Sequence, residues 1–252
     1  MIEKELVVQT ADGPMAVAVR HPEGVGPFPV VVVFHDGPGL RKDVYDVVAQ
    51  VAEAGYYAVL PDLYHRIGPK ISFDLAGIGQ GPGSPEFQRL MAAVGSLSDD
   101  KVLADVAALL DALAEDPVAG SGAKGAVGFC VGARLTFRLL AARPDEFVAG
   151  ATMHPSFCVT DEPDSPHLSV GALRAELFVA FGAADTLASL EVNKPLRDEL
   201  ARANATVEIY DGADHGFMFP GLPAYHEHGA TVSWQRIRDL FGRTLSFERA
   251  PG

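Results

Sequence analysis

The run Pro29-Val-Val-Val-Val-Phe34 constrains the fold more than any other stretch of the chain. It shows no apolar–polar alternation, so a strand built from it must bury both faces, as happens in the middle of a largely parallel sheet. Similar apolar runs recur at Tyr57–Leu60, Ala126–Phe129, Phe147–Met153, Leu177–Phe181 and Val207–Tyr210. Between them, segments 42–54, 131–142, 189–203 and 231–245 have helical character. After Ser98 as N-cap, Val102, Val106, Leu109, Leu110 and Leu113 form one apolar face. Strands alternating with helices predict an α/β fold, with a mostly parallel central sheet and helices on both faces. Residues 5–8 and 15–20 flank the turn Ala11-Asp12-Gly13-Pro14 and predict a hairpin. With 48% hydrophobic residues among 252, and no linker or repeat, residues 1–252 read as one domain with a sizeable core. Phe73–Pro85, with Gly77, Gly79, Gly81 and Gly83, reads as a mobile loop.

A net charge of −13 argues against a nucleic-acid partner, which requires a basic stripe to neutralise phosphate. No apolar stretch is long enough to span a bilayer, and the start of the chain lacks the pattern of a signal peptide. Two cysteines do not make a disulfide framework, so the expected location is the cytoplasm, with both thiols reduced.

In parallel sheets, active sites collect at the carboxyl ends of the strands, so the residues that follow each apolar run carry the most information. The fifth run leads into Gly128-Phe129-Cys130-Val131-Gly132 and then a helical pattern. This is the Gly-x-Ser-x-Gly nucleophile elbow of the α/β-hydrolase fold with cysteine in place of serine. The glycines remove side chains that would collide at a sharp strand-to-helix turn, and the helix N-terminus favours a thiolate. Cys158 lacks this setting and reads as a gap-filling core residue.

The last strand is followed by Asp214-His215-Gly216-Phe217, which puts a histidine in a loop able to reach back over the cysteine as general base. Asp185 follows the preceding strand and is suited to orient the imidazole. Asp214 is the alternative acid, but neighbours in an extended segment point apart, which favours Asp185. Nucleophile, acid and histidine then occur in α/β-hydrolase order. The third strand leads into His35-Asp36-Gly37-Pro38-Gly39; in this fold an amide near Gly37 and that of Val131 would form the oxyanion hole. His21, His65, His167, His226 and His228 read as loop or surface residues. The Tyr225-His-Glu-His228 cluster lacks a metal-binding spacing. Gly77–Gly83 lacks the strand–helix context of a dinucleotide site, so neither metal nor cofactor is expected.

From about residue 14 to 245 the chain resembles the dienelactone hydrolase family. The resemblance rests on the acidic residue after the third strand, Pro61-Asp-Leu-Tyr64-His-Arg66, the cysteine elbow, Asp185, and Asp214-His215-Gly216-Phe217. It implies an enzyme that cleaves small-molecule esters or lactones through Cys130, His215 and Asp185 by way of a thioester. It also implies that Asp36, where many members have glutamate, helps deprotonate the thiol; capping the helix that begins near Arg41 is the other reading of Asp36. Members that act on dienelactone hold its carboxylate with arginines, one shortly after the histidine, where this chain has the apolar His215-Gly-Phe-Met-Phe219. Candidate substrate contacts are therefore Arg66, Arg89, Arg134 and Phe217. A general carboxylesterase or thioesterase would use the same three residues, and a non-catalytic ligand-binding protein on this scaffold is the alternative from another class.

Overall fold

A computed structural model describes residues 1–245; residues 246–252 of the expected domain lie outside the described part. Its strands are β1 (Ile2–Thr10), β2 (Gly13–His21), β3 (Val30–Phe34), β4 (Tyr57–Pro61), β5 (Lys124–Phe129), β6 (Phe147–Met153), β7 (Glu176–Gly182) and β8 (Ala205–Tyr210). Its helices are α1 (Lys42–Glu53), α2 (Leu75–Ile78), α3 (Pro85–Gly95), α4 (Asp99–Leu113), α5 (Val131–Ala142), α6 (Lys194–Leu200) and α7 (Glu227–Thr244).

The strands form one eight-stranded sheet in the order β1-β2-β4-β3-β5-β6-β7-β8. It is parallel from β4 to β8, and the hairpin β1–β2 is added antiparallel at one edge. All five residues of β3 are buried, as their β-branched run requires. Val30, Val32 and Phe34 enter one core with residues of α4, α5 and α6; Val31 and Val33 enter a second core with α1 and α7. The chain leaves β3 for β4 on one side and later returns for β5 on the other. Strand order therefore reverses at β3, and a crevice opens beyond the carboxyl ends of β3 and β5.

Several expectations need correction. Phe73–Pro85 is not a featureless loop. It contains α2, whose N-cap Asp74 accepts from Ala76 N–H and Gly77 N–H at 3.1 Å each. Ser84, at its far end, caps α3 by accepting from Phe87 N–H at 3.1 Å, and Pro85 opens that helix. Glu86 accepts from Asp74 N–H at 2.8 Å and ties the two helices together. The segment expected as helical over 189–203 is helical only at Lys194–Leu200, because Pro195 sits in the first turn and Asn193 spends its side chain on backbone carbonyls. Ser98 occupies the N-cap of α4 but makes no side-chain cap bond. Among the described residues no helix is long and apolar enough to cross a membrane.

Candidate active site

The elbow is built as its glycines require. Cys130 holds φ 54° and ψ −117°, a strained conformation for a residue with a side chain. A Cβ on Gly128 would lie 2.1 Å from Gly132 O and 2.3 Å from Thr136 Oγ1; one on Gly132 would lie 2.5 Å from Phe34 O. Neither position tolerates a methyl group. Cys130 N–H donates to Met153 O, and Cys130 O accepts from Ser156 N–H, both at 3.1 Å. These bonds to the end of β6 and the loop beyond it hold the turn in place.

Asp185, in the turn after β7, accepts from Leu187 N–H at 2.9 Å and from Ala188 N–H at 2.7 Å through one oxygen. Its other oxygen accepts from His215 Nδ1 at 2.8 Å. The carboxylate side chain is 1% exposed, so the imidazole is oriented by a fixed, desolvated acceptor. Asp214 instead accepts from His215 N–H at 2.7 Å and is exposed. With Nδ1 committed to Asp185, His215 presents Nε2 to the crevice. That atom is buried and makes no protein hydrogen bond of ordinary geometry.

Cys130 and His215 line the same cavity and perturb each other strongly. Burial is the largest single influence and pushes the thiol up, but the charge and hydrogen bonding of His215, with help from the Ser156 hydroxyl, together bring it below its ordinary range. Burial pushes the imidazole down, yet the thiolate and Asp185 raise it to about 10. Both shifts run towards a thiolate beside an imidazolium. Cys158 shows the contrast: fully buried without such a neighbour, its thiol is pushed well up by burial.

The loop after β3 brings Asp36 and Gly37 to the same cavity. Asp36 does not cap α1. Both its oxygens accept from Arg41, at 2.5 and 2.8 Å, and the Arg41 guanidinium stacks 4.6 Å from the Phe219 ring centre. Asp36 works against the Cys130 thiolate electrostatically, and Arg41 offsets its charge. Tyr64 O–H donates to Gly37 O at 2.8 Å and fixes that peptide. His35 accepts from Leu63 N–H through Nε2, so its Nδ1 carries the proton and donates to Asp36 O at 2.7 Å. Val131 is the first residue of α5, next to Cys130.

The proposed substrate contacts are not brought to this cavity. Arg66 is held by Asp105 through two bonds, at 2.7 and 2.8 Å, and by Asp12 at 2.6 Å. Arg89 pairs with Glu86 at 2.8 Å and stacks 4.6 Å above Phe73. Arg134 is spent on Asp99 and the Phe157 carbonyl, where it joins α5 to the start of α4. Phe217 is fully buried in the core that contains α7. The walls come instead from α2 and α3 (Leu75, Ile78, Phe87, Leu90, Met91, Val94) and from Leu222–Tyr225, around a volume of about 550 Å3.

Sequence reasoning missed Arg41, the two wall helices and His154. His154 sits immediately after β6, buried, at φ 39°, with its ring centre 4.9 Å from that of His215 in an edge-to-face arrangement. Neither ring nitrogen has a hydrogen-bond partner among the described residues, and burial together with the His215 charge lowers its pKa well below the ordinary range. It was findable by the rule that found Cys130, since it too directly follows an apolar run. His226, expected to be an ordinary loop residue, caps α7 by accepting from Gly229 N–H through Nδ1 at 3.1 Å.

The model of the dienelactone hydrolase family matches residues 15–245. A Salmonella typhimurium protein named as a carboxymethylenebutenolidase is 30% identical over 227 residues, covering 86% of this chain and 78% of that one. A Bradyrhizobium protein named as a 2-oxo-3-(5-oxofuran-2-ylidene)propanoate lactonase is 27% identical over 222 residues, covering 86% and 84%. A crystal structure from Klebsiella pneumoniae, named as that of a dienelactone hydrolase, superposes with a TM-score of 0.80 at 26% identity, covering 96% of this chain and 98% of the other.

Proposed function

The chain belongs to the dienelactone hydrolase family, and on that premise we propose that it hydrolyses small carboxylic esters or lactones through a thioester on Cys130. One observation carries the reading: His215, hydrogen-bonded to the buried Asp185, opens onto the cavity that holds Cys130, and thiol and imidazole shift in the directions of a thiolate–imidazolium pair.

In the proposed cycle the Cys130 thiolate attacks the substrate carbonyl. The backbone N–H groups of Val131 and Gly37 receive the developing oxyanion; the second belongs to the Asp36–Gly37 peptide, whose carbonyl accepts from His35 Nδ1. Collapse breaks the ester C–O bond. The His215 imidazolium gives its proton to the departing alkoxide, which for a lactone remains on the same molecule. Now neutral, His215 takes a proton from water as that water attacks the thioester, and the acid product, thiolate and imidazolium are restored. Asp185 keeps Nδ1–H in place throughout. His215 rather than Asp36 is the proton acceptor for the thiol, because Asp36 opposes thiolate formation and is engaged by Arg41.

Reaction with p-nitrophenyl acetate, quenched in acid and followed by peptide mass spectrometry, tests the reading. An acetyl group on the peptide containing Cys130, and loss of turnover in Cys130→Ala, are expected. Wild-type turnover in Cys130→Ala, or acylation elsewhere only, would overturn it. A general carboxylesterase uses the same steps, and the apolar walls of the cavity favour that variant of the reading.

A further inference from the structure

We infer that the cavity selects neutral, apolar esters or lactones and rejects substrates that carry a carboxylate; the inference rests on the hydrolase reading above and names its substrate class. The cavity offers about 550 Å3, room for a substrate much larger than an acetyl ester. Its far wall is made of aliphatic and aromatic side chains from α2 and α3 and is closed opposite by Leu222, Pro223 and Ala224. That wall is preorganised: Asp74, Ser84 and Glu86 cap and join its helices.

No Lys or Arg is among the described residues lining the cavity. The charged groups that do line it point to the same conclusion. Asp36 is a carboxylate, already matched by Arg41. Asp214 is a second carboxylate, with no ion-pair partner among the described residues. His215 is matched by Asp185 and the Cys130 thiolate. His226 uses Nδ1 as an acceptor in capping α7. A substrate carboxylate entering this space would lose water, find no unmatched cation and face Asp214. The net charge of −13 repels it at longer range. Cations on elements that also line the cavity are consumed: Arg41 in the loop after β3 by Asp36, Arg89 of α3 by Glu86 and Phe73, and Arg134 of α5 by Asp99.

The test compares p-nitrophenyl hexanoate with the p-nitrophenyl monoester of adipic acid, which has the same reacting ester and chain length but ends in a carboxylate. After correction for their alkaline hydrolysis rates, kcat/KM should favour the neutral ester by at least about tenfold, the scale of an unpaired carboxylate moved partly out of water. The ratio should shrink in high salt, which screens Asp214 and the net charge. Met91→Arg puts a cation on the wall at a position 37% exposed, where folding tolerates it, and should narrow or reverse the preference. Equal or better hydrolysis of the anionic ester by the wild type would overturn the inference. If neither ester turns over, the hydrolase reading fails, and the inference is then read by protection of Cys130 from iodoacetamide. 2-Octanone should slow alkylation at lower concentration than 7-oxo-octanoate does. Equal protection, better protection by the anion, or protection by neither would overturn it.

Discussion

Burial pushes the Cys130 thiol up, and the charge and hydrogen bonding of His215, which Asp185 orients through Nδ1, together bring it below its ordinary range. An ordinary thiol loses alkylation rate about tenfold per pH unit below its pKa near ~8.5, because only the thiolate reacts. Cys130, with its pKa lowered, should begin that decline at a lower pH than an ordinary thiol does, read with iodoacetamide; His215→Gln should move the decline back to higher pH. The same shifts fix the sign of the stability profile. The thiol, lowered by folding, contributes stability that is lost as pH falls from about 8.5 through its folded value. The imidazole, raised by folding, contributes stability that is lost as pH rises from about 6.5 to about 10. Above about 8.5 only the imidazole still titrates differently in the two states, so stability falls there as pH rises. The difference in urea midpoint between wild type and Cys130→Ser should therefore shrink as pH rises above about 8.5, and shrink again at acidic pH where the folded thiol takes up its proton. Asp185→Asn should lower kcat about 10³–10⁴-fold with little change in KM, because it leaves the imidazole without the acceptor that fixes its tautomer. The places of Cys130, Asp185 and His215 just beyond strand ends were legible in the sequence because each closely follows an apolar run that announces its strand. The spending of Arg66, Arg89 and Arg134 was not legible, because the acids that consume Arg66 and Arg134 lie 35 or more residues away. Arg41 lies only five residues from Asp36, but nothing local says that the loop folds the two together rather than continuing into a cap.

At the scale of elements, the strand–turn–helix from β5 to α5 leaves no room for an added methyl group, and α2 and α3 are the elements that shape the cavity. Gly128→Ala would force a methyl group against Gly132 O and Thr136 Oγ1, both on the helix that must pack there. The expected cost is about 2–3 kcal/mol or outright misfolding, read as a lower urea midpoint and reduced soluble yield. The wall helices act differently. Asp74→Ala removes two cap bonds from a four-residue helix at the surface and should cost about 1 kcal/mol locally. Hydrogen exchange in 73–85 should accelerate and KM for long-chain esters should rise, while the global unfolding midpoint stays within error. These helices escaped sequence reading for a physical reason. Four residues are too few to show a period, and the glycines around them signal a loop. The structure comes from caps, a tertiary tie through Glu86 and packing over the cavity. The strands were read well because a strand buried on both faces needs only its own composition to declare itself.

At the scale of the whole molecule, the two cores are separated only by the sheet, and every central strand contributes side chains to both. Neither core can be lost while the other stays packed, since melting one removes the strands that line the other. Unfolding should therefore be one transition. Val32→Ala, in the core with α4 and α5, and Val33→Ala, in the core with α1 and α7, should each lower the same midpoint by about 2 kcal/mol, seen identically by circular dichroism and by fluorescence of Trp234. The two cysteines supply an internal check. Cys130 opens onto a cavity and should react with Ellman's reagent in the native protein. Cys158 lies at 0% exposure in the first core, with its Sγ donating to Ser156 O at 3.4 Å. No local opening frees it without breaking that core, so its labelling rate should carry the denaturant dependence of global unfolding. Val33→Ala, on the opposite face of the sheet, should accelerate it as much as Val32→Ala does. If only Val32→Ala speeds the labelling of Cys158, the cores open independently and the sheet does not couple them.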